Sequence, residues 1–297
     1  MIPLEIANYD AYARLMRSLF ATLNQKVGYW SMYKFTLELN LVNHILPSGG
    51  LSGISYFSVR SKSIGITTAQ STLAQFTKLF LLYASFQPIL IVGLLILAAG
   101  GHVNNLVLVI ASALITLLVV GTFVTLYIVE SRSRINKFLT VITKAINKLI
   151  HLFHRRRPEA INVARAQVVF DELHENYQIY KKDWRALRRP FLYTMLANVT
   201  EIAVLYVVYI AFGHFVNVGA VILAYAVANF AGLISVLPAG IGVYEGLMTG
   251  VLVATGIPAE LSIPVTIMYR VINMTIQLTP GYYFYQKALK AGLSTRV

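Results

Sequence analysis

The sequence has no cysteine, which excludes disulfides, thiolate metal sites and a cysteine nucleophile while leaving the compartment open. It is also poor in charge. Asp, Glu, Lys and Arg make up 12% of its 297 residues, about half the share of an ordinary soluble domain. Acidic residues are the scarcer kind, 12 against 25 Lys and Arg, for a net charge of +13. No cleavable signal peptide is visible, because Met1–Tyr9 has neither a basic opening nor an apolar core. No metal constellation emerges either. His151 and His154 are three apart but border Arg155–Arg157, and Glu172-Leu173-His174-Glu175 lacks the metalloprotease spacing. Ser48 and Ser235 have no base at a workable spacing, and no loop is built to cradle a phosphate. An intramembrane enzyme is the least favoured reading, and neither cofactor nor metal is expected.

What the chain does have is apolar length. It is 57% hydrophobic with a mean hydropathy of +0.65. Leu79–Gly100 and Leu106–Val129 reach the roughly 20 residues that cross a bilayer. The charge is placed, not scattered. Of the 25 basic residues, 14 lie in Ser131–Arg189, six in Met1–Lys62 and three after Tyr285, leaving Lys78 and Arg270. The connectors Gly100–Asn105, Gly213–Gly219 and Gly256–Ser262 carry none. This is the positive-inside pattern. It predicts a multi-pass protein of the plasma membrane with both termini cytoplasmic and anionic headgroups at the basic side. Topology accounts for the bias, so no nucleic-acid partner is expected.

Read in order, Met1–Gln25 is modestly amphipathic and suggests a cytoplasmic or interfacial helix. Tyr29–Leu46 is apolar but carries Lys34, Glu38, Asn40, Asn43 and His44, then breaks at Pro47-Ser48-Gly49-Gly50. Leu51–Val59 follows and ends in Arg60 and Lys62, a re-entrant hairpin by expectation. Thr68–Ala98, with a kink expected at Pro88, and Leu106–Val129 cross and return. Basic helices at the headgroup layer are expected from Ser131 to about Tyr180. Phe191–Phe212 crosses with Glu201 inside it. Asn217–Val236 and Ile241–Thr255 flank Leu237-Pro238-Ala239-Gly240-Ile241-Gly242-Val243-Tyr244-Glu245-Gly246, and Ser262–Tyr285 returns to the basic tail. Proline and glycine interrupt helices, and in lipid a break is allowed only against protein or a water-filled cavity.

The two breaks recur at an offset of 191, Leu46-Pro47 with Leu237-Pro238 and Gly49 with Gly240. Gly65-Ile66 and Ser71 match Gly256-Ile257 and Ser262 at that same offset. Three crossings separate the copies, so the second enters from the opposite side, as in transporters with inverted repeats. The expected fold is an all-α, polytopic membrane helix bundle. It has two inverted repeats, each with a Pro-Gly-broken re-entrant helix pair. One membrane domain, 1–297, divides into a first half at 26–129, basic helices at 130–189 and a second half at 190–288.

Asn43-His44-Ile45-Leu46-Pro47-Ser48-Gly49-Gly50 with Ser52-Gly53 and Arg60, then the Leu237–Gly246 motif and Tyr269-Arg270, resemble the transmembrane domain of lysylphosphatidylglycerol synthases and flippases. The resemblance covers roughly Gln25 to Ala288. It implies a flippase-like domain that moves a polar-headed lipid between leaflets. Family members usually open with one or two further helices before the basic segment, which this sequence is not seen to carry. The soluble aminoacyl-transferase domain is not matched, so synthase activity is not implied, and lysylphosphatidylglycerol is one candidate cargo among others.

A charge at the bilayer centre costs roughly 2.5–3.5 kcal/mol on insertion scales. Glu38, Glu201, Glu245 and Arg270 carry that cost and are the candidate cavity lining. Arg270 offers a bidentate fork to a phosphate. Glu245 meets a cationic or hydroxylated headgroup or pairs with Arg270 when the site is empty. The bland alternative is a structural ion pair locking the broken helix. Asn43, Pro47, Gly49, Gly50, Arg60, Pro238, Gly240, Gly242 and Asn273 complete the candidate substrate-binding set, with Gln277 extending a polar track or serving as interhelical glue. Arg60 and Lys62 are expected at the inner headgroups. The leading function is lipid translocation between leaflets. A scaffold presenting lipid to a partner glycosyl- or aminoacyl-transferase and a small-solute transporter stand as alternatives, and a homo-oligomer is open.

Overall fold

The computed structural model describes residues 1–45, 51–62, 64–101, 103–138, 140–141, 174–234 and 240–290. Pro47, Gly49, Gly50, Pro238, His102, His151 and His154 lie outside them, as does most of the basic stretch. Among the described residues every regular element is helical, and the chain is a membrane helix bundle.

The helices are α1 (Ile2–Thr22), α2 (Tyr29–Ile45), α3 (Leu51–Lys62), α4 (Thr68–Ala99), α5 (Asn105–Val129), α6 (Arg188–Ala211), α7 (Val218–Ile234), α8 (Val243–Ala254) and α9 (Ala259–Lys290). Residues 132–138 and 174–182 are also helical, and a 3-10 turn, Trp184–Leu187, leads into α6. Helix starts follow from capping chemistry. Thr67 and Gln70 exchange side-chain and backbone bonds at 3.2 Å to open α4, and Asn104 accepts the Val107 amide to open α5. Helix α4 continues through Pro88, so the sequence's kink signal does not end it.

Among the described residues, three segments are long and apolar enough to cross a membrane: α4, α5 and the Trp184–Ala211 run containing α6. These are the three crossings expected between the two breaks. Helix α5 is the peripheral one. Only Val107, Ala111, Leu114 and Leu118 of it are buried, one stripe at helical spacing flanked by the partly buried Ile110 and Ile115, while most of its other aliphatic side chains are exposed. Helix α9 has the length but not the apolarity. Its Arg270, Asn273 and Gln277 recur on one face and turn inward.

Element lengths repeat. Helices α2, α3 and α4 have 17, 12 and 32 residues, and so do α7, α8 and α9. The packing is reciprocal too, with α4 lying on α7 and α9 on α2. Both pairs are antiparallel, since Tyr83 meets Phe230 where Gly93 meets Ile222, and Lys34 meets Phe284 where Asn40 meets Gln277. Glycine permits each close approach. A Cβ on Gly219 would sit 2.1 Å from the Gly93 carbonyl oxygen, and one on Gly281 would sit 2.7 Å from the Leu37 carbonyl oxygen. Lipid tails are as apolar as the helices, so such close packing supplies much of the association.

Helix α1 corrects its sequence reading. It is not an interfacial helix but packs lengthwise and antiparallel on α6, with Glu5 and Asn8 buried. Asn8 donates to the Ala197 carbonyl and to the Thr200 hydroxyl, both at 3.0 Å. The uncharged connectors gather at one end, where Asn104 donates to the Ala254 carbonyl and Gly219 abuts Leu97. Arg14, Arg17, Lys26 and Arg189 share a groove at the other end.

Two apolar cores result. One joins the second half of α4 to α5, α6, α7, α8 and the start of α9. The other joins α1, α2, α3 and the first half of α4, with the Phe57 ring stacked between Phe20 and Phe35 at 5.9 and 5.1 Å.

Candidate functional site

A cavity of about 280 Å³ opens between the two cores, lined from α1, α2, α4, α6, α7, α8 and α9. Its walls are polar in an unusual way for a membrane bundle. Tyr9, Tyr12, Tyr225, Tyr244 and Tyr269 face it, together with Asn8, Asn40, Asn43, Asn229, Asn273 and Gln277. Its charged residues are Lys78, Glu201 and Arg270, with His44 beside them. Helical spacing explains how single helices supply so much. Arg270, Asn273 and Gln277 are at i, i+3 and i+7, and Asn8, Tyr9 and Tyr12 at i, i+1 and i+4.

Glu201 is the hub. It accepts hydrogen bonds from the Tyr269 hydroxyl at 3.3 Å, Asn273 Nδ2 at 3.2 Å and Gln277 Nε2 at 3.4 Å. The same Gln277 amide donates to Glu5 Oε2 at 3.2 Å, and its carbonyl accepts from Asn40 Nδ2 at 2.9 Å. Asn40 also reaches the Tyr9 hydroxyl at 2.6 Å. Four helices are thus tied through one network, which positions each side chain without a direct contact between charges.

Arg270 and Glu245 pair at 2.9 Å between Nε and Oε1. The approach is an ion pair and not an aligned hydrogen bond from Nε, and the guanidinium lies 4.4 Å from the Tyr244 ring centroid. Glu245 has a second task. Its Oε2 accepts the Gly242 amide at 2.6 Å, capping the first turn of α8. Gly240 and Gly242 take φ of +66° and +87°, values that favour glycine and turn the chain into α8.

The remaining candidates divide. Asn43, Glu201, Arg270 and Asn273 line the cavity. Glu245 stands behind Arg270. Glu38 and Arg60 do not line the cavity: they pair with each other at 3.2 Å, Glu38 also accepts the Tyr56 hydroxyl at 2.8 Å, and the Arg60 guanidinium covers Phe35. Arg60 is turned toward α2, where its guanidinium meets the buried Glu38 carboxylate. Sequence reading missed α1 altogether as a wall. The polar spacing of Glu5, Asn8, Tyr9 and Tyr12 was the available signal. Lys78 stood out only as a stray charge.

Comparison with known proteins gives a consistent picture. Residues 6–281 match the family model described as lysylphosphatidylglycerol synthase TM region. Two proteins of Methanothermobacter thermautotrophicus, each named UPF0104 membrane protein, are similar. One is 33% identical over 94 residues, 32% of this chain and 28% of the relative. The other is 24% identical over 161 residues, 54% of this chain and 46% of the relative. The chain therefore spans less than half the length of either relative. No solved structure matches.

Proposed function

The chain belongs to the lysylphosphatidylglycerol synthase transmembrane family, and on that footing we propose that it carries a polar-headed phospholipid or glycolipid between leaflets. The observation that carries this reading is the cavity between the two cores, walled by helices from both halves of the chain and lined with ionisable and amide side chains.

An inverted repeat in which α2–α4 answers to α7–α9 fits the repeated lengths and the reciprocal antiparallel packing. Helices α3 and α8, with 12 residues each, are about 18 Å long, too short to span a hydrocarbon core of about 30 Å. This supports two hairpins that enter from opposite faces and meet at the cavity. Such paired breaks accompany a midplane site in many transporters. The end bearing Arg14, Arg17, Lys26 and Arg189 would face the cytoplasm, with plasma-membrane headgroups around it. Alternating exposure of the cavity to the two leaflets then moves a headgroup past the hydrocarbon.

The test is exchange of fluorescent-tailed lipids in vesicles holding the full chain. Wild type accelerates exchange of a polar-headed probe over empty vesicles, and Arg270→Ala and Glu245→Gln lose that acceleration. Exchange in both variants equal to wild type removes the site assignment, and no acceleration by wild type removes the translocation reading.

A further inference from the structure

The cavity's charges are unequally occupied. Each carboxylate on or beside its lining already has partners: Glu201 holds three donors, Glu245 holds Arg270 and the Gly242 amide, and Glu38 holds Arg60 and Tyr56. Glu5 has one oxygen without a partner among the described residues, but it is buried behind the lining and not on it. A cationic headgroup entering the cavity would meet one lining acid, Glu201, already engaged by three donors.

Lys78 is the opposite case. It sits a third of the way along the apolar span α4 and lines the cavity. Among the described residues it meets no carboxylate and no hydrogen-bond acceptor, only the Tyr12 ring at 5.8 Å. A lysine within a span costs roughly 2.5–3.5 kcal/mol on insertion scales and normally pairs. Apart from Glu201 and Arg270, which hold partners of their own, and His44, the polar walls are neutral amides and phenols, which offer donors and acceptors together and suit hydroxyls. A volume of about 280 Å³ is near the lower end for ligand pockets, about 300 Å³, so it holds one headgroup and leaves the acyl chains outside.

We infer that Lys78 is the phosphate contact of this cavity, and that the headgroup it holds carries hydroxyls but no cationic group. The class is a glycerol-phosphate or glycosyl-phosphate lipid, as opposed to an aminoacylated one. This rests on the lipid-moving reading above and narrows it.

The experiment compares fluorescent-tailed phosphatidylglycerol with its lysyl ester in vesicles containing the full chain as wild type, Lys78→Gln or Lys78→Arg. Wild type moves phosphatidylglycerol at least tenfold faster than the lysyl ester. Lys78→Gln loses at least tenfold on phosphatidylglycerol with thermal unfolding unchanged, and Lys78→Arg keeps most of the rate. Equal rates for the two lipids overturn the exclusion of a cationic headgroup. An unchanged rate in Lys78→Gln, or an equal loss in Lys78→Arg, overturns the phosphate contact. Binding of radiolabelled glycerol phosphate to solubilised protein separates the anion site from lipid movement. Should no lipid move, the translocation reading falls. Glycerol phosphate bound by wild type and not by Lys78→Gln then keeps the Lys78 site, and its absence removes that site too.

Discussion

Helices α2–α4 and α7–α9 share lengths, order and reciprocal packing, yet they place their ion pairs differently. In the first set the pair is Glu38–Arg60, joining α2 to α3 away from the cavity, with side chains 3% and 20% exposed. In the second it is Glu245–Arg270, joining α8 to α9, with Arg270 on the cavity wall. The first pair is surrounded by Phe35 and Tyr56 and ties α3 to α2. The second meets Tyr244 and the capped start of α8, so it holds that start at the edge of the site. A similar scaffold has thus been given a structural bridge on one side and a bridge next to solvent-accessible space on the other. Backbone packing is fixed by helix length and small residues. Polar pairing depends on single side chains and diverges freely.

The largest effect expected is from breaking the buried bridge. Arg60→Ala leaves Glu38 without its cation and lowers stability by about 3–5 kcal/mol, read as a fall in thermal unfolding temperature in detergent. Pairing it with Glu38→Gln recovers much of the loss, because the uncompensated charge is gone. A double variant as unstable as Arg60→Ala removes the claim that the charge is what matters.

Next come the two helix crossings. Gly219→Val and Gly281→Val overpack α4 on α7 and α9 on α2, each costing about 1–3 kcal/mol, with Gly219 the worse because its backbone obstacle lies at 2.1 Å against 2.7 Å at Gly281. Gly250→Ala, with open space around it, is the control and changes stability by under about 1 kcal/mol. Similar losses at Gly219 and Gly250 would show that the crossing is not close-packed.

Glu245→Gln sharpens the contrast between the pairs. An amide oxygen still caps α8, so the stability loss is smaller than for Arg60→Ala, while lipid exchange falls with the ion pair. A stability loss as large as that of Arg60→Ala would make the two bridges alike.

The smallest effect belongs to the exposed pair Lys181–Glu130, 3.0 Å apart at the basic end. The Lys181 hydrogen bond and charge hold the Glu130 carboxyl below the usual carboxylate range. A depressed acid contributes above its unfolded value and loses that contribution as pH falls through the folded one. Solvent and salt screen this pair, so Lys181→Met leaves unfolding temperature unchanged at physiological salt, and a clear fall would mean the contact is structural.

Much of this was legible beforehand. The three crossings, the small helices after the breaks and the cavity positions of Asn43, Glu201, Arg270 and Asn273 follow from apolar length and from where polar residues interrupt it. Helix α1 was not legible as a wall. Its Glu5, Asn8, Tyr9 and Tyr12 make a polar stripe, and a stripe has the same periodicity whether it faces water, a headgroup layer or another helix. The partner of Arg60 was not legible for the same reason, since a cation after a short helix suits an interface as well as a buried partner 22 residues away.

Sequence alone determined immersion in a membrane, the lengths of the helices and the polarity of their faces, because these depend on local composition and a fixed rise per residue. Tertiary structure decided which polar faces meet. Gln277 reaches Glu5 across 272 positions of chain and Glu201 across 76, and only packing brings such distant groups within 3.4 Å. Which acid is satisfied, and that Lys78 is left facing the cavity, follows from that packing.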